Sequence, residues 1–197
     1  MLIDTRQARR DIDRLLSQLN PSDASKALNR ALNHTAGKAK TQINKSIREK
    51  YKVASKEVNS KLSVKKASGN KNEAGVLIKS PALRLKGFKP RQTKQGVSVI
   101  IMGSRKLIKG AFIATMKNAN GSDHTTVFAR GQYESKRFKF RKKRAKKSGN
   151  DNPITGLVTR SVVGMAINPK VSDAVQKVMI DSLPKRVAHE VSRLLNQ

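Results

Sequence analysis

The sequence predicts an α+β protein: long N-terminal helices, a small and mostly antiparallel sheet, a basic loop and a C-terminal helix. Three observations carry this. Apolar residues recur at three- and four-residue spacing up to about residue 62 and again beyond residue 168. Between them the pattern switches to short runs of strand-type residues bounded by glycine and polar clusters. The order, helices then strands then a helix, is that of an antiparallel sheet with helices packed on one face. A chain of 197 residues suits one domain. Its expected parts are a helical arm (1–62), a sheet (63–130), a basic loop (131–152) and a C-terminal segment with its helix (153–197).

The first helix is predicted over Asp4–Leu19, with Ala8, Ile12, Leu15, Leu16 and Leu19 on one face. Asn20-Pro21 breaks it, because a residue before proline avoids the α region. A second helix then runs to about Tyr51, with Ser22 as the expected N-cap and Asp23 in the positive first turn. Its stripe is Ala24, Ala27, Leu28, Ala31, Leu32, Ala36, Ala39, Ile43, Ile47 and Tyr51, small enough in its first half for close packing. Ser55–Leu62 reads as a further short helix with Val58 and Leu62 on one face.

Strands are predicted at Gly75–Lys79, Ala82–Lys86 and Val97–Met102, with Gly87–Gly96 a polar loop. Lys109–Ala114 and Thr125–Ala129 are two more short apolar runs, separated by a turn signal at Asn118–Asp123 that contains Asn120-Gly121. Gly131–Asn152 reads as a long loop, and a loop of that length in a compact domain is functional or disordered. The last helix opens with Asn168 as cap and Pro169 in the first position. Its stripe is Val171, Val175, Val178, Met179, Ser182, Val187, Val191, Leu194 and Leu195. Pro184 is expected to kink or divide it.

Composition excludes several classes of function. The chain has no cysteine, which removes disulfides, thiol nucleophiles and zinc sites built on thiolates. No apolar run exceeds four residues, so no membrane span is expected. The charged N-terminus lacks the apolar stretch of a secretory signal, so a cytoplasm-like site of synthesis is expected.

With 43 Lys and Arg against 13 Asp and Glu, the net charge is +30. The excess is uneven: residues 61–150 hold 24 of the basic residues and 3 of the acidic ones. It peaks at Lys136, Arg137, Lys139, Arg141, Lys142, Lys143, Arg144, Lys146 and Lys147. Such a run repels itself, stays extended and demands an anion. The anion is either nucleic acid, bound through counterion release, or an acidic protein face. Phe138 and Phe140 either stack on bases or anchor the loop to protein.

Catalytic constellations are not supported. His34, His124 and His189 have no paired spacing and no nearby carboxylate cluster, whereas a metal site needs several ligands converging. His34 and His189 are expected to be partly exposed on helices. His124 sits in the predicted turn, as an ordinary turn residue or as a ligand or donor. Asp11 and Asp13 fall on different helix faces, so paired acid–base carboxylates are absent. Gly103-Ser104-Arg105-Lys106 lacks the glycine spacing of a phosphate-binding loop. No catalysis, cofactor or metal is expected.

Three short motifs, in order, are more informative. They are Lys106-Leu-Ile-Lys-Gly-Ala-Phe-Ile-Ala-Thr-Met116, then His124-Thr-Thr-Val-Phe-Ala-Arg130, then Asn152-Pro-Ile-Thr-Gly-Leu-Val-Thr-Arg-Ser-Val-Val-Gly-Met165. The block resembles the bacteriophage minor tail protein Z family, also called tail completion proteins. The matching positions are Gly110, Ala111, Phe112, Ile113, His124, Thr125, Val127, Phe128, Arg130, Pro153, Ile154, Leu157, Ser161 and Val162. Two positions depart from the family's pattern: Thr126 stands where glycine is frequent, and Thr159-Arg160 where Gly-Pro is usual.

The resemblance implies a structural virion protein of a tailed phage, assembled in the host cytoplasm and located in the tail or neck. It implies action in tail completion and head–tail joining, as a homo-oligomeric ring, sixfold or twelvefold, around the DNA path. The implied partners are neighbouring neck, connector and tail terminator proteins, with genomic DNA in the lumen and no membrane. A ring needs head-to-tail contacts that close, and +30 per copy makes a positive annulus suited to DNA without sequence readout. The alternative is a nucleic-acid-binding protein of the ribosome or nucleoid type, without sequence specificity. That reading shares the charge but leaves the motif block unexplained.

Overall fold

The computed structural model describes residues 6–69, 71–117, 121, 123–130, 133–136, 139–142 and 154–196. The elements begin with α1 (Arg6–Leu16), α2 (Pro21–Tyr51), α3 (Ser55–Asn59), β1 (Leu62–Lys65), β2 (Gly75–Ile78) and β3 (Ala82–Arg84). A 3-10 turn (Leu85–Phe88) follows, then β4 (Arg91–Thr93), β5 (Gly96–Met102), β6 (Ser104–Lys109), β7 (Ala111–Lys117) and β8 (Asp123–Arg130). Last come β9 (Tyr133–Lys136), β10 (Lys139–Lys142), β11 (Ile154–Gly156), β12 (Val158–Ser161), α4 (Val162–Ala166) and α5 (Pro169–Leu195). All strand pairs among these elements are antiparallel, and the class is α+β as predicted. The sheet portion is divided into sets of two or three strands. The chain forms two compact units.

The first unit comprises Met1–Ser46, Asn59–Lys79 and Ala166–Gln197. Its core joins Ala27 and Ala31 of α2 to Val187 and Val191 of α5, flanked by Ile12, Leu15, Leu16, Leu19, Leu28, Leu183 and Leu194. The alanines have no exposed surface, so the small-residue stripe faces the core, as its spacing predicts. The start of α2 differs from expectation. Asn20, not Ser22, is the cap: its Oδ1 accepts from the Asp23 N–H at 2.9 Å. Pro21 therefore takes the first helical position, where a missing N–H costs nothing. Asp23 in turn accepts from Asn20 Nδ2 and Lys26 Nζ, each at 2.9 Å.

A polar ladder on α2, at four-residue intervals, fixes the β1–β2 connection. Asn33 accepts from the Ala67 N–H at 2.7 Å and donates to the Ala67 carbonyl at 3.0 Å. Asn29 donates to the Gly69 carbonyl at 2.7 Å, and Ser25 Oγ lies 3.4 Å from the same oxygen. The predicted helix Ser55–Leu62 is shorter than expected. Its helical part ends at Asn59, and Leu62 opens β1 opposite Ile78. The apolar pair Val58 and Leu62 fits a helix by spacing, but sheet pairing claims the second member. In α5 the cap is as predicted, Asn168 Oδ1 accepting from the Lys170 N–H at 3.2 Å. The helix runs on through Pro184 rather than dividing there. Val171, Ser182, Val187 and Val191 are buried as expected, whereas Met179 and Leu195 of the predicted stripe are exposed.

The second unit comprises Ile47–Val58 and Ser80–Met165. Its core includes Ile47, Tyr51, Val58, Leu85, Phe88, Val97, Val99, Val127 and Met165. Strand order is β4–β5–β6 in one set, β11–β8–β7 in another, and β12–β3 and β10–β9 as pairs. The segment Gly87–Gly96 is not a plain loop. Phe88 closes the buried 3-10 turn, and β4 pairs with β5 from Arg91↔Ser98 to Thr93↔Gly96. β4 escapes a hydrophobic pattern because all its residues are exposed edge positions. β6 escapes for the same reason, with Ile108 its single buried residue. Gly96 is obligatory: a Cβ there would strike the Ile108 carbonyl oxygen. Gly103, at φ +83°, turns the chain from β5 into β6.

Candidate functional site

The motif block assembles into one piece of the second unit. Gly110, at φ +70°, forms the turn from β6 into β7, and its N–H donates to the Gln95 carbonyl at 3.0 Å. β7 and β8 pair from Ala111↔Ala129 to Lys117↔Asp123, which sets Phe112 opposite Phe128 and Ile113 opposite Val127. β11 adds on the other side of β8, with Ile154↔Arg130 and Gly156↔Phe128. The Phe112 and Phe128 rings stack with centroids 6.2 Å apart, and His124 tilts against Phe128 at 5.9 Å. The Leu157 N–H donates to the Val127 carbonyl at 2.8 Å.

Most of these residues serve packing. Ala111, Val127, Phe128 and Leu157 are buried. Gly156 lies against the Phe128 ring, 3.5 Å from where its Cβ would be. Ser161 Oγ accepts from the Gly164 N–H at 3.1 Å and so caps α4. The Val162 N–H is satisfied by Ser80 Oγ at 3.1 Å. His124 is a strand residue rather than the turn residue expected, because the β7–β8 pairing extends through Lys117↔Asp123. Its half-buried ring has no protein hydrogen-bond partner at Nδ1. Of the predicted turn, Gly121, at φ +79°, and Asp123, the first residue of β8, are described. Arg130 and Ile154 are exposed, as are Leu107, Gly110 and Val158. Thr126, at the position where glycine is frequent, is buried in β8. Thr159-Arg160 fall at the register shift between Val158 and Ser161. Pro153 lies outside the described residues.

The basic run is only partly described. Lys136 ends β9, and Lys139, Arg141 and Lys142 belong to β10. The register is Lys139↔Lys136, Phe140↔Ser135, Arg141↔Glu134 and Lys142↔Tyr133. The expected long loop thus contains a short hairpin. Antiparallel backbone pairing is local and needs no apolar pattern, so the charge run concealed it. Arg137, Phe138, Lys143, Arg144, Lys146 and Lys147 lie outside the described residues.

Sequence spacing missed a charged centre in the first unit. Glu190 of α5 is fully buried, and its carboxylate is held by Arg186 one turn earlier. Arg193 stands 3.6 Å away, Arg30 of α2 3.8 Å and His189 3.8 Å. His34 of α2 faces the same group and its pKa is lowered. Burial is the first cause, followed by the nearby Arg186 and Lys38 charges, while Glu190 acts in the opposite sense. The signal was present as Arg186, Glu190 and Arg193 at four- and three-residue spacing. Such spacing ordinarily marks an exposed helix face, but here Glu190 is buried, with Arg30 and His34 of α2 facing it.

The same unit holds an apolar cavity of about 520 Å³. Its walls include Ile12 of α1, Leu32 and Ala39 of α2, and Val175, Met179 and Pro184 of α5. Among the described residues no group of three His, Asp or Glu could hold a metal ion. Among them, too, no helix is long and apolar enough to cross a membrane.

No curated protein and no solved structure matches the chain. The family described as prophage minor tail protein Z matches residues 8–197, a span that takes in the helical stripes, the motif sheet, the basic hairpin and α5. With nearly its whole length matched, and the three motifs converging on one small sheet, the chain belongs to the prophage minor tail protein Z family.

Proposed function

We propose that this protein is a structural component of a phage tail, without catalysis. It acts in tail completion and head–tail joining as one subunit of a closed homo-oligomeric ring around the DNA path. The ring has six or twelve copies and sits in the neck of the virion, against neighbouring neck, connector and tail terminator proteins. The observation that carries the reading is the family match across residues 8–197. The motif residues support it by their role: they build and pack a sheet rather than converge on a reactive group.

The charge supports the ring. A chain of +30, repeated around an axis, makes a strongly positive annulus. Such an annulus attracts DNA through its phosphates and does not read bases. The basic run from Lys136 to Lys147 is proposed as the contact to DNA or to an acidic neighbour, on the strength of its nine cations in twelve positions.

The test is imaging of purified virions carrying a small tag on this chain, with the copy number counted by quantitative mass spectrometry. The expected result is a ring of density at the head-proximal end of the tail with six or twelve copies. Free monomers that bind any RNA, with no copies in particles, would favour the nucleic-acid-binding alternative.

A further inference from the structure

The register of β4, β5 and β6 sorts their residues onto two faces. Paired positions share a face, and alternate positions point oppositely. The rows Gln92↔Val97↔Ile108 and Val99↔Lys106 contain the buried valines and Ile108, so they define the inner side. The rows Arg91↔Ser98↔Leu107, Thr93↔Gly96↔Lys109 and Ile100↔Arg105 define the outer side. Arg91, Arg105, Leu107 and Lys109 are exposed there, Ile100 is half-buried, and Leu107 keeps 42% of its surface exposed. No acidic residue occurs in the three strands.

The face has an ordered pattern. Along β6 it presents a cation, an apolar side chain and a cation at Arg105, Leu107 and Lys109. Alternate positions on a strand lie roughly 6.8 Å apart, so the cations are about 14 Å apart with Leu107 midway. Arg91 adds a third cation in the same row as Leu107. Arg105 is held in place. Its Nη1 donates to the Ser98 carbonyl at 3.2 Å, to Ser98 Oγ at 3.1 Å and to the Lys89 carbonyl at 3.3 Å. A fixed guanidinium beside an exposed leucine suits a protein interface, where arginine and apolar anchors are enriched.

We propose that this outer face docks a surface of a different tail protein, one with an apolar centre flanked by carboxylates. Charge complementarity selects that occupant. A second copy of this chain, with 13 acidic residues against 43 basic ones, has few carboxylates to offer this particular face. DNA is disfavoured because Leu107 would be desolvated against phosphates with nothing to gain, and the three strands hold no aromatic residue for stacking on bases. This assignment rests on the virion reading above.

The test places a photo-crosslinking amino acid at position 107 of the full-length protein. The protein is supplied in trans to a phage lacking the gene, and crosslinks are mapped in purified particles. The expected product joins position 107 to an acidic, apolar-centred peptide of another virion protein. Lys109→Glu is expected to lower incorporation into particles about tenfold, as a rim charge reversal worth one decade in affinity. A compensating change of the crosslinked partner's carboxylate to lysine is expected to restore it. Thermal melting of both variants with the parent's midpoint confirms that they fold. Particles that contain the protein but show no crosslink, or crosslinks only to DNA or to a second copy, overturn this assignment and leave the virion reading intact. Absence of the protein from all particles overturns both.

Discussion

Glu190 is the residue on which the first unit's charge balance turns. One buried carboxylate faces Arg186, Arg193, Arg30 and His189, so removing it leaves cations facing one another. Breaking a buried pair by deleting one partner costs about 3–5 kcal/mol. The arginines are 31–48% exposed, so solvent screening places the expected loss for Glu190→Met near the lower end of that range. The double variant Glu190→Met with Arg186→Leu is expected to recover part of the loss, because neither charge is then stranded. Urea unfolding of the single and double variants measures both effects.

His34, beside the same centre, gives stability its own pH dependence. Its folded pKa lies below 6.5, so the unfolded chain binds more protons in the window between the two values. Stability is therefore complete above about pH 6.5 and falls as pH drops through that window. Melting temperatures from pH 7.5 to 5 are expected to fall less steeply in His34→Gln than in the parent. Asp23 acts in the same sense at lower pH. Hydrogen bonds from Lys26 and then Asn20 lower its pKa, so its contribution is present above the ordinary carboxylate range and is lost in acid.

At the scale of the element, the alanine stripe of α2 is one sequence feature with two environments. Ala31 has no exposed surface and packs among Val187, Val191 and their neighbours. Ala39 is equally buried but lines the 520 Å³ cavity. Leucine at position 31 is expected to overpack and cost about 1–3 kcal/mol. Leucine at position 39 has the cavity to enter, and its cost is expected to stay below about 1 kcal/mol, with a gain where it fills space well. Thermal or denaturant unfolding of Ala31→Leu and Ala39→Leu separates the two environments. Equal large losses would show that the cavity wall at Ala39 cannot accept added volume.

For the whole molecule, charge is the governing quantity. Replacing Lys139, Arg141, Lys142, Lys143 and Arg144 with glutamine removes five charges from the most basic stretch. If the run contacts DNA, the salt dependence of DNA binding by the isolated protein becomes shallower, each lost phosphate contact reducing the slope by about 0.9. Equilibrium binding at several salt concentrations reads this directly. Unchanged DNA binding together with tailless particles would instead assign the run to an acidic neighbour in the neck.

Local physics determined the parts of this protein that the sequence made legible. Helical periodicity located α2 and α5 because their buried faces are continuous stripes. Asn168-Pro169 marked a helix start because a cap and a pre-set φ act on their own neighbours. The motif block announced the family without revealing why its residues are needed. Phe112, Val127, Phe128, Gly156 and Leu157 meet only when β7, β8 and β11 pair, across gaps of many residues.

Tertiary structure alone decided the rest. β4 and β6 exist through pairing with β5, since their mostly exposed residues carry no apolar alternation. Asn20 became the cap where Ser22 was an equally good residue type, because the helix begins two residues earlier, at Pro21. Glu190 reads as a surface residue but is fully buried with Arg30 of α2 facing it, and Met179 and Leu195 read as core although they are left exposed. For Glu190 the local pattern permits two placements, and the element that faces it, α2, lies far away in the chain; β4, β6 and the Asn20 cap are settled by partners only a few residues away.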